Sequence, residues 1–201
     1  MQDILSVYNQ RKGEIGQRLN EFKKKSKEGV FDELCFCLLT PQSNAQRCWS
    51  SIIKLKKENV LKNGQVKEMI KHMNGCRFHK TKARRIIEIR EKFDEIYEKI
   101  QQSEDGKELR EWLVKNVNGY GYKEASHFMR NIGFTNISIL DRHILRCLKE
   151  YGAINEIPKT MTKKKYMEIE KIYFDFSRNV GIAPSELDLL FWSMKTGFIF
   201  K

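Results

Sequence analysis

The sequence predicts an all-α protein of roughly ten helices. Apolar residues recur at steps of three and four over the stretches 4–22, 86–100, 109–117 and 166–176, with charged residues between them. That spacing places the apolar side chains on one face of a helix. No stretch alternates between apolar and polar residues for long enough to predict a strand.

Individual residues indicate where several of these helices begin and end. Thr40-Pro41 ends one helix because proline disfavours the helical conformation of the residue before it, and Ser43 is expected to cap the next helix. Thr162 is expected to cap a helix over residues 163–178. Pro184 suits the first position of the last helix, since that position needs no N–H donor.

The charge balance favours an anionic partner. The 201 residues include 38 Lys and Arg against 26 Asp and Glu, a net charge of +12. Such a balance favours nucleic acid or an anionic membrane surface, although a lysine-rich surface can also reflect solubility or a hot habitat. No apolar run approaches the ~20 residues of a membrane helix, and the N-terminus lacks the apolar centre of a secretory signal. We therefore expect a cytoplasmic protein near its DNA, with no membrane partner.

The cysteines predict neither a disulfide framework nor a metal site. There are five, an odd number: Cys35, Cys37, Cys48, Cys76 and Cys147. Without a signal sequence, an odd count argues against disulfides. Cys35 and Cys37 are too close together for a C-x₂-C metal knuckle, and their apolar neighbours predict buried thiols. His127 and His143 have no third ligand at metal spacing, so we predict no metal ligands.

One glycine-containing run carries most of the chemical information. It reads Asn118-Gly119-Tyr120-Gly121-Tyr122-Lys123-Glu124-Ala125 and continues as a helix to Arg130. The two glycines allow a tight hairpin, and the free N–H groups at the start of the following helix favour an anion such as phosphate. Lys123 adds a nucleophile. Asp141, in Leu140-Asp141-Arg142-His143, adds a carboxylate 18 positions later. Together these residues suggest an enzyme that works on DNA.

This combination resembles the helix–hairpin–helix DNA glycosylase superfamily, which includes endonuclease III. The chain length, the continuation to Phe128 and the ending from Trp192 to Lys201 are most similar to its type 2 branch. Members of that branch are the 8-oxoguanine DNA glycosylase/AP lyases of archaea and some thermophilic bacteria. The resemblance implies the two-lobed helix–hairpin–helix glycosylase fold. Its lobes would be about 29–118 and 1–28 plus 119–201, with the helix–hairpin–helix at about 107–131.

The resemblance also implies the catalytic residues. Lys123 would attack C1′ of the sugar, displace the base and form a Schiff base, and elimination of the 3′ phosphate would then nick the strand. Burial, nearby cations and the helix dipole would disfavour the charged amine. Asp141 would stabilise positive charge on the sugar and assist proton transfers. The residues alone also permit Lys123 to bind phosphate only, and Asp141 to cap the helix 142–149 only.

Three further residues would form the pocket for the flipped base. Trp192 would stack on the oxidised guanine and Phe78 would form the opposite wall, although either aromatic could instead belong to the core. The α-carboxylate of Lys201 would accept the N7–H that 8-oxoguanine has and guanine lacks, unless the terminus is frayed. Phe198, Ile199 and Phe200 would anchor the tail by burial.

The remaining site predictions concern contacts with DNA. A polar loop of Gln42, Ser43 and Asn44 would enter the gap left by the flipped base, with an ordinary capped loop as the alternative. The other expected DNA contacts are Gly119, Gly121, Tyr122, Arg142 and His143. By the same resemblance, hairpin carbonyls around Val117, Gly119 and Tyr122 would hold a monovalent cation against a phosphate.

The resemblance thus implies a bifunctional DNA glycosylase/AP lyase acting on double-stranded DNA that contains 8-oxoguanine. We expect a monomer. Because no cysteine follows Cys147, we expect neither the iron–sulfur cluster of endonuclease III nor a required redox cofactor. Two alternatives remain from the sequence. One is a glycosylase for oxidised pyrimidines on the same scaffold, and the other is a non-enzymatic helix–hairpin–helix module that only binds DNA.

Overall fold

The prediction of an all-α fold is confirmed. A computed structural model describes residues 3–201, and within that range it contains twelve helices and no strand. In chain order they are α1 (Ile4–Lys23), α2 (Lys27–Leu39), α3 (Ala45–Lys57), α4 (Val60–Asn63), α5 (Val66–His72), α6 (His79–Glu91), α7 (Phe93–Gln102), α8 (Gly106–Asn116), α9 (Tyr122–Asn131), α10 (Arg142–Glu150), α11 (Lys163–Val180) and α12 (Pro184–Thr196). The number exceeds ten partly because α4 and α5, of four and seven residues, are too short to show an apolar period.

The chain divides into two compact units. One comprises the N-terminal residues through Lys24 together with Met129–Lys201, and the other is Lys25–Phe128. The second unit is longer than the lobe of 29–118 expected from the sequence. It includes the hairpin and most of α9 because Tyr120 is bound to α2. The Tyr120 hydroxyl donates to the carbonyl of Leu34 at 2.8 Å, and its ring packs edge-on against Phe128.

The unit Lys25–Phe128 is built around α2. Every residue of this helix from Val30 to Leu39 is buried, and α3, α6 and α7 pack against it. A helix that is apolar on nearly all sides belongs in a core. Two acidic side chains in it are neutralised, because Lys25 pairs with Glu33 at 3.0 Å and Lys56 pairs with Asp32 at 2.6 Å. Burial nevertheless raises the pKa of Asp32.

The other unit is built around α12, which packs against α1, α10 and α11. A buried ion pair crosses its interior: Nη2 of Arg130 lies 3.3 Å from Oδ2 of Asp188, and the Arg130 guanidinium lies over the Phe22 ring. Burial raises the pKa of Asp188 to about 6 despite the opposing charge of Arg130. The helix therefore carries a carboxyl group whose surroundings favour its neutral form.

Most of the predicted helix ends agree with the structure, and one does not. The helix α2 ends at Leu39, immediately before Thr40-Pro41, and the Thr162 hydroxyl caps α11 by accepting the N–H of Lys165. Pro184 is the first residue of α12. The prediction that Ser43 caps α3 is wrong. Asn44 is the cap, and its side chain accepts the N–H of Arg47 at 3.0 Å.

Cys35 and Cys37 are confirmed as buried thiols, and the structure also buries Cys48, Cys76 and Cys147 as free cysteines. Within residues 3–201, no three His, Cys, Asp or Glu side chains are grouped so that they could bind a metal ion. Over the same part of the chain, no helix has the length and apolar character needed to cross a membrane.

Candidate active site

The hairpin between α8 and α9 is tightly closed. The N–H of Tyr120 donates to the Val117 carbonyl at 3.0 Å, and Gly119 has a φ of +94°. A Cβ atom at Gly119 would lie 2.6 Å from Nη1 of Arg85 and 2.9 Å from Cδ1 of Leu38. Both the backbone angle and the lack of space therefore require glycine at this position.

Glu124 closes the start of α9 from inside. It is the third residue of the helix, and its Oε2 accepts the N–H of Gly121 at 3.1 Å. This is the half of a capping box in which an acidic side chain reaches back to the residue before the helix. The carboxylate thus lies where the helix dipole favours negative charge. The Glu124 contact was not predicted, although its position three residues after Gly121 matches the capping-box spacing.

Lys123 lies at the second position of α9 and is partly accessible. Its side chain is 29% exposed, and its Nζ lies 2.7 Å from Oε1 of Glu124. The same carboxylate therefore binds the ammonium of Lys123 with one oxygen and the hairpin N–H with the other. A group that is both reachable and held in this way is suited to attack an electrophile bound outside the helix.

A second lysine, which the sequence analysis missed, lies in the same unit. Lys82 on α6 is 3% exposed, and burial lowers its pKa, with the charges of Lys123 and Glu124 also acting on it. Its Nζ donates to the loop that follows α2. The sequence contained a weak signal, since positions 82, 86 and 89 lie on the apolar face of α6. Lysine is rarely fully buried, so that signal is easily set aside.

The loop of Gln42, Ser43 and Asn44 is fixed by hydrogen bonds. Ser43 Oγ accepts the N–H of Arg77 at 2.9 Å, and Asn44 caps α3. Gln42 is exposed and has a φ of +55°, which is uncommon for a residue other than glycine. The structure therefore gives Ser43 and Asn44 structural bonds and leaves Gln42 exposed on the surface.

Phe78 is not a core residue. Its side chain is 56% exposed, it precedes α6 with a φ of +57°, and the guanidinium of Arg77 lies 5.5 Å from the centre of its ring. The alternative of core packing for Phe78 is thus excluded. An exposed aromatic ring is available to stack on a base.

Asp141 belongs to the other unit and caps α10. Its Oδ1 accepts the N–H groups of His143 and Ile144 at 2.8 and 2.9 Å. The cap that the sequence allowed is therefore present, and the carboxylate is held by two bonds to the same oxygen. Arg142 is exposed, and His143 is half-buried with no hydrogen bond to its Nδ1.

The C-terminal segment packs against the end of α12. The half-buried ring of Trp192 is stacked on Phe200 at 5.9 Å and meets Phe198 edge-on at 5.3 Å. Lys201 is 7% exposed, so the last residue is buried and not frayed. Phe198 is 37% exposed and both Ile199 and Phe200 are half-buried, in contrast to the expectation that these three side chains anchor the tail by burial.

Sequence comparisons identify close relatives over nearly the whole chain. A family model described as 8-oxoguanine DNA glycosylase matches residues 15–182. An 8-oxoguanine DNA glycosylase/AP lyase of Fusobacterium nucleatum is 43% identical over 209 residues, which cover 99% of this chain and 96% of the relative. The 8-oxoguanine DNA glycosylase/AP lyase of Methanocaldococcus jannaschii is 42% identical, with 92% and 89% covered.

Two solved structures share the fold. The Methanocaldococcus jannaschii 8-oxoguanine glycosylase/lyase in complex with a 15mer DNA containing 8-oxoguanine has a TM-score of 0.88 at 40% identity, with 98% of this chain and 97% of that chain covered. The 8-oxoguanine DNA glycosylase of Thermotoga maritima has a TM-score of 0.89 at 32% identity, with 98% and 96% covered.

Proposed function

The chain belongs to the 8-oxoguanine DNA glycosylase family, and we propose that it removes 8-oxoguanine from DNA and then cleaves the strand at the abasic site. The family match confirms the resemblance inferred from the hairpin and the C-terminal residues. The observation that carries the proposal is the partly exposed side chain of Lys123 at the hairpin, in a chain that matches a curated 8-oxoguanine DNA glycosylase/AP lyase over 96% of that relative's length. The partner is DNA containing 8-oxoguanine.

Lys123 is proposed as the nucleophile. Its ammonium first loses a proton, and the carboxylate of Glu124 at 2.7 Å is placed to accept it. The neutral amine then forms a bond to C1′ while the bond from C1′ to the base breaks, and the base leaves with the electron pair. The attached nitrogen then loses a proton and forms a double bond to C1′, while the bond from C1′ to the ring oxygen O4′ breaks and O4′ takes up a proton. The resulting protonated Schiff base acidifies the C2′–H. Loss of that proton breaks the C3′–O bond, so the 3′ phosphate leaves and the strand is cut.

Asp141 is proposed to stabilise the positive charge that develops on the sugar and to assist proton transfers. The two cap bonds support this role because they hold the carboxylate in place before the substrate arrives. Both end on Oδ1, so the cap does not use Oδ2. A fixed carboxylate needs little rearrangement as charge develops, which is what an electrostatic stabiliser requires.

Trp192, Phe78 and Lys201 are proposed to contact the damaged base. The support is that Phe78 is exposed and Trp192 is half-buried, so neither aromatic is enclosed in a core, whereas Lys201 is buried. A buried α-carboxylate that accepts the N7–H of 8-oxoguanine would have no such donor from guanine. Leaving a buried acceptor unpaired is costly, and this difference would favour the oxidised base.

The hairpin and the loop after α2 are proposed to contact the DNA strand. The backbone around Gly119, Gly121 and Tyr122 would approach a phosphate at the start of α9. The N–H of Gly121 already donates to Glu124, and the Tyr122 hydroxyl donates to Glu111 at 2.7 Å, so neither of these two groups is a proposed phosphate donor. Gln42 would enter the gap left by the flipped base, and Ser43 and Asn44 would support it. The hairpin carbonyls, among them that of Val117, would hold a monovalent cation. Arg142 and His143 would contact phosphates. The lysine chemistry itself needs no cofactor.

Base release from a panel of duplexes tests the proposed function. Each duplex carries one 8-oxoguanine, one oxidised pyrimidine, one abasic site or no lesion. We expect release of 8-oxoguanine and cleavage of the abasic duplex, with the undamaged duplex left intact. Release of the oxidised pyrimidine alone would show that the protein is a glycosylase for oxidised pyrimidines and not for 8-oxoguanine. Binding to all four duplexes without release or cleavage would indicate a DNA-binding module.

A further inference from the structure

A buried ammonium closes the loop between α2 and α3. The Nζ of Lys82 donates to the carbonyls of Leu39 at 2.7 Å and Pro41 at 2.8 Å, and to Oγ of Ser43 at 3.2 Å. An ammonium has three N–H donors, so this loop takes all of them. Lys82 thus anchors the loop along its length although the two are about 40 positions apart in sequence.

Ser43 connects this loop to a second segment. Its Oγ accepts the N–H of Arg77 at 2.9 Å in addition to the ammonium of Lys82. Arg77 immediately precedes Phe78, and Gln42 immediately precedes Ser43. One hydroxyl and one ammonium therefore join the segment that carries Gln42 to the segment that carries Phe78.

The two joined segments carry strained, exposed tips. Three non-glycine residues in the described range have positive φ, and Gln42 and Phe78 are two of them. Both side chains are exposed. Such backbone conformations persist only where the surroundings enforce them, and they cluster at functional sites. The bonds of Lys82 to Leu39, Pro41 and Ser43 lie on both sides of Gln42, and the bond from Arg77 to Ser43 lies immediately before Phe78, so these bonds are the contacts that hold both positions.

The chemistry of the brace argues against a purely stabilising role. The Lys82 ammonium is buried, its three bonds go to carbonyl and hydroxyl oxygens, and burial lowers its pKa. A buried charge is an expensive way to hold a loop, because well-packed apolar residues often stabilise a protein equally well. The buried ammonium of Lys82 is better explained by a need to hold the loop between α2 and α3 in one conformation than by a need to stabilise the fold.

We propose that Lys82 and Ser43 form a brace that holds Gln42 and Phe78 at a fixed spacing for entry into a duplex at the damaged base. Lys82 is a positioning residue, since its ammonium is enclosed by the protein and does not touch DNA. The proposal rests on the proposed function, because it assigns the brace to the opening of duplex DNA. The brace has no part in the Schiff-base chemistry of Lys123.

The test compares a substrate whose base pairs must be opened with a substrate that has no base pairs to open. One is a duplex with 8-oxoguanine beside 2-aminopurine, whose fluorescence reports unstacking, and the other is a single strand with a ready-made abasic site. The variants are Lys82→Met, which keeps the stem and removes the ammonium, and Ser43→Ala, which keeps the carbonyl bonds of Lys82. Lys54→Met is the control, because Lys54 is exposed in the last turn of α3, at the opposite end from the loop.

We expect Lys82→Met and Ser43→Ala to slow base excision from the duplex by about tenfold or more, with a matching loss of the 2-aminopurine signal. Cleavage of the single strand should fall by less than about threefold, since no base has to be displaced. The salt dependence of DNA binding by Lys82→Met should equal that of the wild type, because an enclosed ammonium releases no counterion from DNA. Lys54→Met should retain the wild-type excision rate.

Three results would overturn the brace. They are equal losses on the two substrates, a wild-type excision rate in Ser43→Ala, and a shallower salt dependence in Lys82→Met that marks a lost phosphate contact. If Lys82→Met does not fold, Ser43→Ala decides the matter. Failure of the proposed function looks different: the wild type would unstack 2-aminopurine without releasing the base, and the fluorescence of the variants would still test the brace.

Discussion

The carboxylate of Glu124 binds the amine of Lys123 at 2.7 Å while its second oxygen accepts the N–H of Gly121 at 3.1 Å. The proposed nucleophile is therefore linked to the hairpin through one acidic side chain. This arrangement fixes the position of the amine and supplies an acceptor for its proton. Because the two oxygens of Glu124 have different partners, the effect of its charge on Lys123 can be tested separately from its hydrogen bond to Gly121.

Glu124→Gln should slow formation of the Schiff base at neutral pH by about tenfold or more. The amide oxygen of glutamine can still accept the Gly121 N–H, but it cannot take the lysine proton. The deficit in rate should narrow at alkaline pH, because hydroxide in the solvent can then remove the proton in place of the carboxylate. Single-turnover rates on an abasic duplex between pH 6 and 10 measure this. Glu108→Gln, at an exposed position in the first turn of α8, is the matched control. A rate for Glu124→Gln equal to the wild type at every pH would show that Glu124 only caps the helix.

Gly119→Ala should destabilise the protein by about 1–3 kcal/mol and weaken DNA binding, because the new Cβ meets Arg85 and Leu38 at a φ of +94°. Gly13→Ala is the control. Gly13 lies inside α1 with nothing within 4 Å of the added atom, so that change should stabilise by about 0.5–1 kcal/mol. Urea unfolding of both variants gives the two free energies. Effects of the same sign would contradict the hairpin geometry described above.

The buried carboxyl of Asp188 predicts a pH dependence of stability. Its folded pKa is raised from 3.8 to about 6 by burial, so the native state favours the neutral acid. The neutral carboxyl group of Asp188 therefore adds to the free energy of unfolding. This contribution is fully present below pH 4 and is lost as the pH rises through 6. The unfolding free energy of the wild type should therefore fall by about 2–3 kcal/mol relative to Asp188→Asn between pH 4 and 7. Arg130 stays charged in both proteins, so its unpaired cost in the variant does not change with pH. Parallel curves in urea unfolding at pH 4, 5, 6 and 7 would contradict the raised pKa.

Removing Lys201 should separate base recognition from lyase chemistry. Lys201 is buried and directly follows Phe200, whose ring is stacked on Trp192, which supports the proposal that its carboxylate recognises the base. A protein that ends at Phe200 should release 8-oxoguanine about ten- to a hundredfold more slowly, as expected for one lost hydrogen bond to a charged acceptor. Cleavage of a ready-made abasic site should change much less. Both rates are measured side by side. Equal losses would indicate misfolding, and no loss would leave the terminus without a role in recognition.

The sequence predicted those parts of the site that a local pattern specifies. Neighbours in sequence determine the hairpin glycines, the position of Lys123 in a helix and the cap formed by Asp141. In the structure the glycines lie in the hairpin, Lys123 is in the first turn of α9 and Asp141 caps α10. The Lys82 brace depends on contacts between positions about 40 residues apart, and a lysine is normally assigned to the surface. A long-range bond of this kind has no local signature.

Two smaller differences have similar causes. Ser43 and Asn44 are adjacent and both suit a helix cap, so residue type could not decide between them. The choice is made by the N–H of Arg77, which occupies the hydroxyl of Ser43. Phe78 was expected in a pocket wall or in the core. The structure places it on the surface with a φ of +57°, a backbone conformation that an aromatic residue type does not indicate.

The most direct test of the central claim is borohydride trapping of the protein on a duplex with one 8-oxoguanine. Reduction converts a Schiff base between the amine and C1′ into a stable crosslink, which is resolved by gel electrophoresis and mapped by peptide mass. The wild type should crosslink through Lys123. Asp141→Asn should crosslink at a rate lower by orders of magnitude, and its fold should be kept because asparagine still caps α10. Lys123→Gln should bind the duplex without any crosslink. A crosslink formed by Lys123→Gln at the wild-type level, or one mapped to another lysine in the wild type, would contradict the assignment of Lys123 as the nucleophile.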